Sequence, residues 1–281
     1  MHKLPLLDPR NDYVFKKLFS NALPLLSDLI NAVRAHEPSV TVVKVLNPRI
    51  DANELQGKYI ILDILAKDLV GNLINIEMQV SRQERWSARS MFYLAKTLSG
   101  QLKAGEKYVA LKPVIGIHLL GFELFEEQEQ ALWCFEMRDR LNPAVRLGSE
   151  LQLNVVELPK ADRLARARHS GGASSLSAWI MYFEHSKEES IMNQLAYPPV
   201  LEAMALLEAL SGDEEARRLA DVRERALIAE RTELDAAEER GEARGEARGE
   251  ARGIQLANER ALRALMQSGM SEVQARAILN L

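Results

Sequence analysis

Apolar residues recur at helical spacing over residues 11–33, at Val14, Phe15, Leu18, Phe19, Leu25, Leu26, Leu29, Ile30 and Val33. The pattern predicts a helix broken near Pro24, where a second one can open. A β-branched run over 40–46 ends at Asn47-Pro48 and predicts a first strand. Two short runs rich in Ile, Leu and Val follow, at 59–66 and 73–80, with turn residues Asp68 to Asn72 between them. Together they predict a buried hairpin. Residues 82–105 read as a long amphipathic helix through Trp86, Met91, Phe92, Leu94, Leu98 and Leu102, and strands are expected at 113–122, 131–137 and 151–158. A buried strand directly after a helix predicts a parallel crossover. Beyond residue 173 the chain reads as helical to its end. The predicted class is α/β, with a mixed central sheet flanked by helices and an α-helical C-terminal region.

Two charges interrupt the hairpin. A three-residue loop at Leu69-Val70-Gly71, with Gly71 at positive φ, pairs Asp68 with Asn72 and Lys67 with Leu73. Continuing that register sets Asp63 opposite Glu77. Facing carboxylates repel, and burying either one costs on the order of several kcal/mol. A divalent cation with hard oxygen ligands would offset the cost, and Mg²⁺ suits such ligands. The competing explanation is a structural ion pair of Asp63 with Lys67, four residues on and on the same face. Along 73–80, Asn75, Glu77 and Gln79 share one face, while Ile74, Ile76, Met78 and Val80 share the other. That polar face marks either a cleft or a solvated edge.

Composition narrows the possibilities. The 281 residues carry a net charge of −4. From Leu201 onward, 17 acidic and 12 basic residues leave −5, so residues 1–200 stand at +1. The acidity belongs to the tail. Cys134 is the one cysteine, set in the apolar run 131–135, which excludes an internal disulfide and reads as a buried structural thiol. The five histidines are scattered, and His118, within a strand run, reads as a core histidine. Neither a secretory signal nor a membrane-spanning run is evident, so a cytoplasmic protein is expected. The helix at 82–105 sets Arg82, Arg85, Arg89, Lys96 and Lys103 against Glu84, a face able to track a phosphate backbone or simply be solvated. Lys160 to His169 forms a second basic run with the same two readings.

The tail repeats Gly-Glu-Ala-Arg three times from Gly241 and closes at Gly253. Each Gly costs about 1 kcal/mol relative to Ala in a helix, and like charges fall four apart. A partly helical connector is therefore expected at 241–253, with an oligomerising helix as the alternative. It divides a helical region at 171–240 from a small helical hairpin at 254–281, in which Gly269 ends one helix and Ser271 caps the next. Residues 1–170 form the expected core.

Asp63 followed thirteen residues later by Glu77-Met-Gln79 resembles the PD-(D/E)XK nuclease core. More closely, Asn11-Asp-Tyr-Val-Phe-Lys-Lys-Leu-Phe19, Leu62-Asp-Ile64, Ile76-Glu-Met-Gln79 and Arg89-Ser-Met-Phe-Tyr93 resemble the recombination-promoting nuclease (Rpn)/putative transposase family over residues 8 to about 160. The resemblance implies a restriction-endonuclease-like core and an endonuclease that cuts DNA to promote recombination or transposition. Asp63 and Glu77, with the Met78 main-chain carbonyl, would hold Mg²⁺, for which Mn²⁺ or Ca²⁺ can substitute in vitro. Gln79 would position the attacking water, and Asp12 would reach the metal through water or serve simply as a favourable acid beside the helix N-terminus. Lys16, Lys67, Arg85, Arg89, Tyr93 and Lys96 would meet DNA. Gln79 stands where the wider superfamily has Lys, so it cannot supply a charge, and Lys67 is the expected substitute. The same departure supports the alternative of a degenerate module that binds DNA or protein and oligomerises through its C-terminal helices.

Overall fold

Asn11 opens the first helix, its side-chain oxygen accepting the Tyr13 and Val14 amides at 3.1 and 3.3 Å. The computed structural model describes residues 4–47, 49, 63–82, 85–167 and 174–281. Helix α1 (Asp12–Phe19) is followed by α2 (Leu23–Val33), which carries Pro24 in its first turn, where a missing amide hydrogen costs nothing. Strands β1 (Val42–Val45), β2 (Ile64–Asp68) and β3 (Leu73–Gln79) lead to α3 (Trp86–Ser99). Then come β4 (Val114–Leu120), β5 (Leu132–Glu136) and β6 (Leu151–Glu157). Helices α4 (Leu158–Ala167), α5 (Ser175–His185), α6 (Glu189–Met192), α7 (Pro198–Gly212), α8 (Glu214–Gln267) and α9 (Glu272–Leu279) complete the chain.

Among the described residues, six strands form one mixed sheet in the order β1-β2-β3-β4-β6-β5. The β2–β3 hairpin has the expected register: Lys67 faces Leu73, Ile64 faces Ile76, Gly71 takes φ +98° and the Asp68 amide bonds the Asn72 carbonyl at 3.1 Å. The first half of the expected strand, at 59–62, lies outside the described residues. Strands β3 and β4 are parallel, so α3 is the crossover between them.

Alternation divides the sheet into two faces. Ile64, Ala66, Ile74, Ile76, Met78, Ile115, Ile117 and Leu119 pack in one core with α1, α2, α5 and α7. Trp86 and Leu94 of α3 cover the opposite face over Val114, Leu120, Leu153 and Val155. Helices α5 and α7 thus fill the same core as α1 and α2, through Trp179, Tyr182, Phe183, Val200 and Leu207. One compact unit runs to Leu227, and residues 228–281 form a second unit. Within that second unit the Gly-Glu-Ala-Arg repeat is helical throughout, and Ser271 caps α9 in a capping box with Gln274.

Cys134 departs from expectation. It is exposed, because β5 is the outermost strand of the sheet and is covered only partly. Among the described residues, no helix is long and apolar enough to cross a membrane.

Candidate active site

The polar face of β3 lies beneath α3. Asn75, Glu77 and Gln79 line a cleft of about 190 Å³ with Asp63, Trp86, Arg89, Ser90, Tyr93 and His118. Asp63 immediately precedes β2, and the register continues to set it across from Glu77. Its carboxylate is held on both sides. The Asn75 side-chain amide donates to one oxygen, and Asn47 Nδ2 donates to the other at 3.1 Å. Asn47 is itself anchored by accepting the Leu65 amide at 2.6 Å.

Glu77 is 8% exposed. Burial pushes its carboxyl up to about 7; the Arg89 charge opposes the rise, while Asp63 and Asp12 add to it. Burial also raises Asp63, against the pull of Lys16 and the hydrogen bonds from Asn75 and Asn47. On β4, His118 is the parallel partner of Glu77, with Nδ1 3.5 Å from Glu77 Oε2. Burial and the Arg89 charge lower this imidazole to about 4, so it is neutral near pH 7. His118 Nδ1 and Trp86 Nε1 are buried without a hydrogen-bond partner, and the Trp86 ring meets the imidazole edge-on at 5.3 Å. His118 is therefore a polar wall of the cleft and not a satisfied core histidine. The residue pattern concealed this because the pairing depends on the register across the crossover helix.

Gln79 is anchored by donating from Nε2 to the Ser81 carbonyl at 3.0 Å. The Gln79 carbonyl bonds the Gly121 amide on the β4 side. Strand alternation turns the Met78 carbonyl to the opposite edge, on the Asp63 side.

Other expected residues fall differently. Lys16 is 5% exposed, and its charge acts on Asp63, so it belongs to the carboxylate site and not to an outer DNA-binding surface. Lys67 is exposed about four residues along the strand from Asp63, on the order of 13 Å away. It supplies no charge there, and the structural Asp63–Lys67 pair does not form. Asp12 influences Glu77 electrostatically, yet its carboxylate is engaged by Arg223 of α8, whose Nη2 lies 2.7 Å from Oδ2. Arg89 and Tyr93 line the cleft as a pair one turn apart, and Arg85 and Lys96 are exposed at either end of α3. The second basic run is largely neutralised: Lys160 pairs with buried Glu157 at 2.8 Å, Arg163 with Glu123, and Arg166 with Asp162 at 3.1 Å. His169 lies outside the described residues.

Among the described residues, no three His, Cys, Asp or Glu side chains are grouped to enclose a metal ion. Two like-charged carboxylates, both raised by burial, still fit a hard divalent cation that keeps water or substrate oxygens in its remaining positions. The Lys16 and Arg89 charges act on the same two carboxylates and temper that fit.

A family model described as PD-(D/E)XK nuclease family transposase matches residues 9–237. Neither the curated proteins nor the solved structures give a match. The matched span takes in the whole sheet, the α3 cleft and Arg223, and members of the PD-(D/E)XK nucleases generally use divalent metals. The chain therefore belongs to the PD-(D/E)XK nuclease family transposases.

Proposed function

We propose that the chain is a Mg²⁺-dependent DNA endonuclease that hydrolyses phosphodiester bonds and promotes recombination or transposition. The observation that carries this reading is the confrontation of Asp63 and Glu77 at the cleft floor, with Glu77 raised to about 7 by burial and neighbouring charge. Such a pair is costly unless a cation joins it.

Asp63, Glu77 and the Met78 carbonyl would hold Mg²⁺, which would acidify water and neutralise phosphate charge. Asn47 and Asn75 fix the Asp63 carboxylate so that both oxygens keep their directions. Gln79, braced on Ser81, orients the attacking water by hydrogen bonding but adds no charge. Lys16 and Arg89 bring positive charge to the carboxylates from two different helices, the charge that Gln79 lacks. Arg85 and Lys96 extend it along α3 for the DNA backbone.

A second reading, a nuclease fold that binds without cutting, is favoured by Gln79 and by the engagement of Asp12 with Arg223. Self-association through the C-terminal helices accompanies either reading. It is supported by exposed Ile254, Val273 and Ile278, and by the open space around Gly241, Gly245, Gly249 and Gly253.

Thermal unfolding with and without millimolar Mg²⁺ tests the metal site. The native chain gains stability and Asp63→Ala gains none. Equal gains in both would remove Asp63 from the site.

A further inference from the structure

Helix α3 buries Trp86, Ser90 and Leu94, residues four apart that seat it on the sheet. The surface beside that seam carries large apolar and aromatic side chains. Met91, Phe92 and Tyr93 are 48%, 61% and 47% exposed. Amphipathic helices ordinarily place charged or polar side chains at such positions. Here two aromatic rings stand in solvent with centroids 5.5 Å apart and planes at 77°. Tyr93 also lines the cleft that holds Asp63 and Glu77, so the rings begin at its mouth. Residues 85–105 contain four cations and no acid. Arg85, Arg89, Tyr93 and Lys96, spaced four, four and three apart, follow one stripe of the helix.

From this juxtaposition we infer that Phe92 and Tyr93 form a stacking platform for unpaired nucleobases, and that the DNA this cleft receives is single-stranded or locally melted. The inference rests on the nuclease reading above and names its substrate class. Aromatic side chains stack on any base whose face is free, while nearby Lys and Arg hold the backbone. In a continuous duplex those faces are occupied by neighbouring bases, so exposed rings gain nothing from it. A phosphate track alone would need only the cations. The rings add a preference for an opened strand, delivered to the carboxylates by the adjacent Arg89.

The test is fluorescence anisotropy of the full chain in EDTA, where the proposed hydrolysis is halted. The probes are a labelled single strand, the same sequence as duplex, and an abasic single strand of equal length. The native chain binds the single strand more tightly than the duplex or the abasic strand. Phe92→Ala and Tyr93→Ala each lower single-strand affinity by about tenfold, Phe92→Ala leaves duplex affinity within about twofold, and Tyr93→Phe retains binding. Equal losses for single strand and duplex, or full single-strand affinity without the rings, would overturn the platform. Cleavage of a single-stranded or bubble substrate by Phe92→Ala/Tyr93→Ala at the native rate would overturn it while leaving the nuclease reading intact. Absence of cleavage beside retained, ring-dependent binding would do the reverse.

Discussion

Glu77 and His118 are register partners on adjacent parallel strands, with a carboxylate oxygen 3.5 Å from an imidazole nitrogen that has no hydrogen bond. Both are buried, and burial drives them in opposite directions: Glu77 from 4.5 up to about 7 and His118 from 6.5 down to about 4. Each therefore favours its neutral form, and the site holds less charge than its composition implies.

Stability in chelator follows from this pair. Between pH 4.5 and about 7 the fold keeps a proton on Glu77 that the unfolded chain has released, so this residue's contribution is lost as pH rises. Between pH 6.5 and about 4 the unfolded chain protonates His118 while the fold does not, so that contribution is lost as pH falls. The two slopes oppose one another. In Glu77→Gln only the second remains, and the unfolding temperature rises from pH 4.5 to 6.5 more steeply than in the native chain. Parallel curves for variant and native chain would refute the assignment.

In the proposed metal site the cation would bind the ionised Glu77 carboxylate, whose proton would have to leave near pH 7. Mn²⁺ affinity measured by calorimetry is expected to rise between pH 6 and 8. The apparent enthalpy should also depend on the ionisation heat of the buffer. Affinity independent of pH over that range would show that Glu77 is not a ligand.

Lys16 is the buried cation whose charge favours ionised Asp63. Lys16→Met is expected to lower cleavage by about tenfold or more, and Lys16→Arg to restore part of it, whereas Lys67→Met stays within about twofold of native. A larger loss at Lys67 than at Lys16 would reverse their roles.

Arg223 donates to both oxygens of Asp12, from Nε at 2.9 and 3.0 Å and from Nη2 at 2.7 Å, and is 1% exposed. Removing one member strands a buried charge, so Arg223→Met should cost about 3–5 kcal/mol in urea unfolding. The double variant Asp12→Asn/Arg223→Met should recover part of that loss. Arg231→Met, on an exposed stretch of the same helix, should cost under about 0.5 kcal/mol. Equal costs at Arg223 and Arg231 would contradict the burial of the pair.

The hairpin was legible because strand period and the Gly71 turn are local: once Lys67 is set against Leu73, Asp63 must meet Glu77. The crossover was legible for a similar reason, a long amphipathic run between two apolar ones. His118 was not, since its place beside Glu77 depends on the parallel register of β4, which no neighbouring residue encodes. Arg223 was not, because 211 residues separate it from Asp12. The burial of Lys16 was not legible, as α1 spacing alone does not say which of Lys16 and Lys17 turns inward. Lys67 shows the limit of strand parity, which gives the face but not the distance along it. The glycine repeat has poor intrinsic helix propensity and is helical all the same, within a 54-residue helix.

The most direct measurement is cleavage of supercoiled plasmid in Mg²⁺ by the native chain beside Asp63→Ala and Glu77→Ala, purified identically. The account predicts nicking or linearisation by the native chain and none by either variant. Equal cleavage by all three, or none by the native chain while it still binds DNA, would contradict it.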